Sequence, residues 1–245
     1  MVLSAVPTPG AETNALGMRF VAVPSTRILM CTTETTVAQY RLCGREYKTP
    51  RFAQGDNHPA VNISWEDAKA FCRWLSEREK KPYRLPTDAE WSSAAGSSLY
   101  PFGDGLPQSG DGNYAGQEMK RLAADELAKH MNKGFMLIPG LHDGHVFTAP
   151  IGISRPNRLG IYDLGGNVWE WCEDEYRAAM NSAEALEKFP VMRLEKDRDG
   201  SAVRVLRGAS WSTDAPLRLR SEFRLYGHPR YQGPSRGFRV VIEIR

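Results

Sequence analysis

The chain has 245 residues, of which 41% are hydrophobic and 25% are charged, and its formal net charge is +3. This composition is typical of a globular protein, and so small a charge does not indicate a nucleic-acid partner. The sequence contains no apolar run that approaches the roughly 20 residues of a membrane-spanning helix. We therefore expect neither nucleic acid nor a membrane among its partners.

The first ten residues, M-V-L-S-A-V-P-T-P-G, lack the basic start and apolar centre of a secretory signal. We interpret residues 1–13 as a tail or linker and residues 14–245 as one domain. A cytoplasmic location is expected if the chain is complete, although it could be a module cut from a longer protein.

The first clear elements are a strand and a long helix. Alternating residues over Arg19–Val23 predict a strand. Ser64–Glu79 is predicted to be a helix, because Ser64 and Asp67 have the spacing of a capping box. Its apolar residues recur at the spacing of one buried stripe, formed by Ala68, Phe71, Cys72 and Leu75.

Further elements follow along the chain. Thr87 and Glu90 predict a second capped helix, and Trp91, Ala94 and Ala95 are expected to face inward. Two more helices are predicted over Lys120–Lys133, which Gly134 would close, and over Ser182–Lys188. The last predicted strand has two faces: Phe238, Val240, Ile242 and Ile244 on one, Arg239 and Glu243 on the other. Strands near both chain ends indicate termini that meet in one sheet, hence a single domain.

The segment Gly160–Asp174, G-I-Y-D-L-G-G-N-V-W-E-W-C-E-D, concentrates carboxylates and amides around two tryptophans. Its Gly165-Gly166 pair allows the backbone to turn tightly. Acidic oxygens in such a segment face either solvent or a hard cation. The segment is therefore a candidate metal site.

Ordered motifs from about Asn14 to the C-terminus resemble those of the formylglycine-generating enzyme family, also called the sulfatase-modifying factor family. They include N-A-L-G-M-R-F-V-A-V-P, E-T-T-V-A-Q-Y, Y-R-L-P-T-D-A-E-W, G-N-V-W-E-W, R-V-L-R-G-A-S-W and S-R-G-F-R-V-V. The resemblance implies a C-type-lectin-like α+β fold, rich in loops, with a small twisted antiparallel sheet and two main helices. The opening motif is most similar to a bacterial branch in which such domains are attached to kinases or other signalling modules.

The resemblance also implies two structural calcium sites, because hard oxygen donors stand at the matching positions. The first would combine the side chains of Asp163 and Glu170 with the main-chain carbonyls of Gly166 and Val168. The second would combine the side chains of Asn113 and Asp143 with the main-chain carbonyls of Tyr114 and His145. In the alternative for the first site, its two carboxylates cap turns and pair with arginines.

Copper is not expected as a cofactor. In the family's oxidases two cysteines near the C-terminus bind copper and activate oxygen, and the matching stretch here, Trp211–Arg224, contains no cysteine. Soft Cu(I) requires thiolates. The cysteines of this chain have the scattered spacing of structural thiols rather than of metal ligands or a disulfide framework, and they are Cys31, Cys43, Cys72 and Cys172.

The stretch Ser212–Ser235 is rich in arginine and tyrosine, the residues that dominate binding hot spots. In the family this surface forms the ligand groove, and its composition suits an acidic or extended peptide. In the alternative, several of its arginines pair with buried acids. The expected ligand-binding residues are Trp211, Asp214, Arg218, Arg220, Arg224, Tyr226, His228, Arg230 and Tyr231.

We interpret the chain as a non-oxidase ligand-binding or sensing domain, a pseudoenzyme of its family, with a protein or peptide partner. One alternative is a divergent formylglycine-generating enzyme or related oxidoreductase that uses another constellation. A second is a retroelement-diversified binding protein of the same fold. Only Glu222 and Gln232 between Ser212 and Arg236 are residue types that such diversification cannot encode, so this alternative stays open.

Overall fold

The computed structural model describes residues 11–122 and 136–244. The strands in this part of the chain are β1 (Glu12–Thr13), β2 (Arg19–Ala22), β3 (Ile28–Cys31), β4 (Tyr83–Arg84), β5 (Trp169–Glu175), β6 (Arg204–Arg207), β7 (Leu225–Gly227), β8 (Arg236–Gly237) and β9 (Val241–Glu243). The α-helices are α1 (Val37–Arg41), α2 (Trp65–Glu79), α3 (Asp88–Ala95), α4 (Ala183–Lys188) and α5 (Pro216–Leu219). Long irregular connections join these elements, so the fold is α+β and rich in loops.

The first sheet has the order β1-β2-β3-β9-β4, and its neighbours are antiparallel. Leu29 of β3 and Tyr83 of β4 both pair with Ile242 of β9. The last strand therefore lies between elements from the first half of the chain. This confirms the prediction that the two ends meet in one sheet, and it extends that sheet to Glu12–Thr13, inside the expected tail.

A second sheet, of order β7-β6-β5-β8, differs from the expected single antiparallel sheet. Its central strand β5 pairs antiparallel with β6 but parallel with β8, where Trp169 lies opposite Arg236. The alternation of residues within a strand reports which face is buried, but it does not report which distant segment lies alongside. The second sheet was therefore not visible in the local pattern.

The two main helices begin where the sequence predicts. Ser64 Oγ accepts a hydrogen bond from Asp67 N at 3.1 Å, and Thr87 Oγ1 accepts one from Glu90 N at 3.2 Å. Both reciprocal capping boxes are complete, which satisfies main-chain donors that the first turn leaves without a helical partner. The predicted buried faces are also confirmed: Ala68, Phe71, Cys72 and Leu75 in α2, and Trp91, Ala94 and Ala95 in α3.

The remaining predicted elements have mixed outcomes. The helix predicted over Ser182–Lys188 is present as α4, and Ser182 caps it. A 3₁₀ turn covers Gln117–Arg121, and most of the helix predicted over Lys120–Lys133 lies outside the described residues. At the C-terminus only Val241–Glu243 forms regular strand pairing. On the face that carries Arg239 and Glu243, Arg239 has no exposed surface, whereas Glu243 is exposed.

Among the described residues, no helix is both long enough and apolar enough to span a membrane.

Candidate functional site

A tight turn precedes β5 and packs against the main chain of Asn113. Asp163 and Asn167 adopt left-handed conformations, with φ of 54° and 59°. A Cβ on Gly166 would lie only 2.5 Å from the Asn113 carbonyl oxygen. Asn167 N donates to that same oxygen at 2.7 Å. Glycine at this position therefore serves a close approach of two backbones, as the G-G pair predicted.

Glu170 follows this turn on β5, and both of its carboxylate oxygens accept hydrogen bonds from buried side chains. Arg239 Nε and Nη2 donate to its two carboxylate oxygens at 2.7 and 2.5 Å, and Trp91 Nε1 donates at 2.9 Å. The side chains of Glu170 and Arg239 have no exposed surface. Burial lowers the pKa of Arg239, but Glu170 outweighs burial and raises it above its ordinary value. This is a fork-to-fork ion pair at the centre of the fold.

Asp163 is occupied too, because its carboxylate accepts hydrogen bonds from Gly152 N and from Ser154 N. Its own N–H donates to Ser154 Oγ at 2.7 Å. Gly166 and Val168 lie in the same turn, but Glu170 faces a guanidinium rather than an open position. A calcium ion beside Glu170 would meet the charge of Arg239, so the first expected metal site does not fit the chemistry of its donors. The alternative, turn capping and arginine pairing, describes these two carboxylates.

The second expected metal site differs from the first because it contains a buried polar atom without a described partner. Asp143 joins its two halves: one carboxylate oxygen accepts from Tyr114 N at 2.9 Å, and the other accepts from His145 N at 3.0 Å. The buried Asn113 donates through Nδ2 to Phe147 O at 2.7 Å. Its Oδ1 is buried and has no hydrogen-bond partner among the described residues. Both Asp143 oxygens therefore accept main-chain hydrogen bonds, as those of Asp163 do, and the unpartnered Asn113 amide oxygen is the group that a hard cation could still bind here.

Glu118 is a second acidic residue in this place, and sequence reasoning missed it. Its Oε1 lies 3.3 Å from His142 Nδ1, while its Oε2 is buried without a described partner. A Cβ on Gly116 would lie 2.8 Å from Glu118 Oε2 and 3.2 Å from Asp143 Oδ2. Both carboxylates therefore approach the same glycine. Burial raises the pKa of Asp143 above its ordinary value.

The described residues contain no group of three or more His, Cys, Asp or Glu side chains positioned to hold a metal ion. Any cation at Asp143 would therefore depend on amide and main-chain oxygens as well as on carboxylates. Such mixed oxygen shells are ordinary for calcium.

The expected ligand-binding residues do not form one exposed set. Trp211 is 1% exposed, and its ring meets that of Phe147 edge-on, with 5.1 Å between the ring centroids. Its Nε1 donates to Pro234 O at 3.1 Å. Its assignment to a binding surface is therefore corrected, since it belongs to a small buried cluster. Asp214 accepts from Met136 N at 3.2 Å and lies 3.9 Å from Arg218.

Most of the arginines in this stretch pair with acids. Arg224 binds Asp88 through Nε at 3.1 Å and through Nη2 at 3.0 Å, and Arg220 pairs with Glu184 at 2.7 Å. Arg218 Cζ lies 4.1 Å from the centroid of the Phe189 ring, and burial lowers the pKa of Arg218. The alternative raised from the sequence, structural pairing, thus holds for these side chains.

The second half of the stretch forms a separate group. His228 Nε2 and Arg230 Nη2 both contact Asp199 Oδ2, at 3.1 and 3.0 Å. Tyr226 packs against Tyr176 with 5.2 Å between the ring centroids, and its hydroxyl donates to Val191 O at 3.1 Å. Tyr231 is 50% exposed, so it is the large aromatic that this stretch presents to solvent.

Sequence reasoning missed two further charged residues. Glu34, within E-T-T-V-A-Q-Y, is fully buried and accepts from Asn167 Nδ2 at 2.8 Å. Burial raises its pKa well above the ordinary value, and nearby Asp163 and Glu170 add to that effect. Arg236, within S-R-G-F-R, lies between two aromatic rings. Both residues belong to motifs that carry the family resemblance.

The four cysteines are free and dispersed. Cys31, Cys72 and Cys172 are buried, while Cys43 is half-buried. Burial raises the pKa of the first three thiols, to about 12 for Cys72. Buried thiols of raised pKa are poor sources of thiolate. Cys31 is buried as fully as Cys72, which lies in the apolar stripe of α2.

The fold and the G-N-V-W-E-W turn define a class, that of loop-rich α+β domains with a C-type-lectin-like fold. Residues 13–244 match the model of the family described as the sulfatase-modifying factor enzyme 1-like domain. The chain belongs to this family, which is the one that its ordered motifs resemble.

Two relatives and two solved structures show the range of similar proteins. The formylglycine-generating enzyme of Streptomyces coelicolor is 34% identical over 177 residues, 69% of this chain and 48% of that protein. The inactive C-alpha-formylglycine-generating enzyme 2 of Bos taurus is 32% identical over 192 residues, 75% and 50% respectively. The structure of PvdO from Pseudomonas aeruginosa has a TM-score of 0.67 and 22% identity, and covers 98% of this chain and 100% of its own. Treponema denticola variable protein 1 has a TM-score of 0.60 and 20% identity, with coverage of 96% and 100%.

The chain spans about half the length of these two curated relatives. One carries a name that states an activity, and the other a name that states inactivity. Membership of the family therefore fixes the fold of this domain and leaves its activity to be argued from its own residues.

Proposed function

We propose that this domain recognises a ligand and does not oxidise cysteine. The observation that supports this most directly is the position of its thiols. Trp211–Arg224, where the family's oxidases carry a copper-binding pair, has no cysteine. The four cysteines of the chain are dispersed through the fold, three of them buried. The donor set does not fit a Cu(I) ion, which prefers thiolates.

The experiment is a mass-spectrometric assay of purified protein with copper and a cysteine-containing peptide of the sulfatase type. We expect no aldehyde above the level of copper alone. An active formylglycine-generating enzyme assayed in parallel controls for the peptide and the oxygen supply. A Cys43→Ser variant tests whether any activity depends on Cys43, which is half-buried whereas the other three cysteines are buried. Aldehyde formation that this substitution abolishes would establish the divergent oxidoreductase instead.

The diversified-binder alternative is less well supported by the contacts of the stretch. Arg224 binds Asp88 at the start of α3, and Arg220 binds Glu184 of α4. Random replacement at these positions would remove ion pairs that connect separate elements. Likeness to a variable protein at 20% identity concerns the fold alone. Sequencing of natural isolates tests this alternative, since diversification would concentrate changes between Ser212 and Arg236.

We further propose that Asn113 and Asp143, with the carbonyls of Tyr114 and His145, hold a structural calcium ion. The orphaned Asn113 Oδ1 and the bridging position of Asp143 support this site. An ion there would fix two loops that lie far apart in the sequence. Attachment to a kinase or another signalling module, and a location in the cytoplasm, remain predictions.

A further inference from the structure

Arg236 occupies a position unlike that of the other buried arginines. Its Cζ lies 4.2 Å from the centre of the Tyr231 ring and 5.6 Å from that of Trp171. The guanidinium is thus held between an exposed aromatic face and a buried one. Cation–π contact stabilises such a position but does not replace the hydrogen bonds that five N–H donors can make.

No carboxylate of the described residues pairs with Arg236. By contrast, Arg207 donates to Asp88, to Ser92 Oγ and to the Ser221 carbonyl. Arg239 forms an ion pair with Glu170. Desolvation by burial dominates at Arg236 and lowers its pKa to about 10, and the nearby Tyr231 and Tyr226 oppose that effect only in part. A partly desolvated cation without an anion is costly. The cost is removed when an anion from outside supplies the missing partner.

The surroundings of Arg236 are built to hold it in place. A Cβ on Gly227 would overlap the guanidinium and would lie 2.6 Å from Trp171 Cη2. A Cβ on Gly233 would lie 2.6 Å from Tyr231 Cε1. Two glycines therefore allow the main chain to close around the arginine and its stacked tyrosine. Such preorganisation reduces the entropy lost when a ligand binds.

We propose that Arg236 is the anion-binding centre of a recognition site and that it binds the carboxylate of an acidic peptide side chain, with Tyr231 packing against the neighbouring residue. The proposal rests on the ligand-recognition function proposed above and names its chemistry. A carboxylate matches the planar fork of one guanidinium. A phosphate is more often held by a cluster of arginines, and the nearby Arg230 already pairs with Asp199.

The test is selection from a displayed library of random octapeptides, with wild-type protein compared with Arg236→Gln. We expect wild-type protein to enrich Asp and Glu, and to bind the selected peptides about tenfold or more tightly than their Asn and Gln counterparts. Arg236→Gln should lose this preference, and Arg236→Lys should retain part of it. Arg230→Gln is the matched control, because it removes the same charge from an exposed, already paired side chain. Thermal melting of each variant verifies folding.

Three results would overturn the proposal: no enrichment of acidic residues by wild-type protein, equal preference in Arg236→Gln, or equal loss in Arg230→Gln. Stronger binding of phosphoserine peptides than of glutamate peptides would reject the carboxylate assignment. Aldehyde formation in the copper assay would refute the non-oxidase function and would leave the comparison of the arginine variants interpretable. The two failures are therefore distinguishable.

Discussion

Arg236 and Arg239, separated by Gly237 and Phe238, illustrate two different uses of the same side chain. Arg239 is fully buried and its charge is matched by Glu170, 69 residues away in the sequence. Arg236 is half-buried between rings and has no acid among the described residues. The first arginine completes the interior of the domain. The second leaves a donor set available to something outside it.

The two expected metal sites differ in whether they contain buried oxygen atoms without a described partner. At Glu170 each carboxylate oxygen already accepts from a nitrogen of the protein. Near Asp143 the Asn113 Oδ1 and the Glu118 Oε2 are buried without described partners. A family position that carries the expected residue type is therefore insufficient evidence of a site. Whether its electron pairs are already used decides what it can bind.

Replacing Glu170 by Gln should have the largest effect on this comparison. The change leaves Arg239 buried beside a neutral amide, and we expect a loss of about 3–5 kcal/mol in the free energy of unfolding. Urea denaturation measures it. Glu173→Gln is the matched control, since the same strand carries it and its pair with Lys69 is partly exposed. A loss no greater than that of the control would contradict the role of Glu170 as the partner that neutralises the buried Arg239.

Asp88→Asn tests a second matched carboxylate. Burial raises the pKa of Asp88, but Arg207 and Arg224 together outweigh burial and hold it below the ordinary value. The stabilisation is therefore full above the unfolded-state pKa and is lost as pH falls through the folded-state value. At neutral pH we expect the variant to lose about 2–3 kcal/mol. Urea denaturation over a pH series should show the two proteins converge in acid, and a constant difference would contradict this account.

Adding calcium tests the metal site proposed at Asn113 and Asp143. At a hundredfold excess over Kd it should stabilise the folded protein by about 2.7 kcal/mol. Asp143→Asn should abolish this gain, which thermal melting with calcium and with a chelator measures. Asp104→Asn, an exposed carboxylate elsewhere, should retain it. Identical curves with calcium and chelator would reject the metal. A gain that survives in Asp143→Asn would place the bound calcium at another site, such as the one expected at Asp163.

Arg236→Gln should have the smallest effect on stability, within about 0.5 kcal/mol of wild type. Its removal relieves a partly desolvated charge and breaks no ion pair among the described residues, although it weakens the stacking with Tyr231. A large loss in urea denaturation would show that Arg236 is structural, as Arg239 is. Near-neutral stability together with lost ligand preference would complete the distinction between the two arginines.

Much of this architecture could be read from the chain because its determinants are local. The capping boxes at Ser64 and Thr87 involve residues three positions apart, and the buried stripe of α2 repeats at helical spacing. The ordered motifs identified the family, and the family fixed the fold. The missing cysteines of Trp211–Arg224 were equally plain, since a residue type that is absent needs no structure to establish it.

Only the tertiary structure decided which charges are satisfied. The Glu170–Arg239 pair, the parallel pairing of β5 with β8 and the burial of Trp211 all join segments that are distant in the sequence. Periodicity reports the buried face of an element, but ion pairing depends on side chains from other elements that meet in space. For that reason the sequence indicated Asp163, Glu170 and many arginines as candidates alike. Their contacts in the structure separate these paired groups from Asn113 Oδ1, which has no described hydrogen-bond partner, and from Arg236, which has no described carboxylate partner.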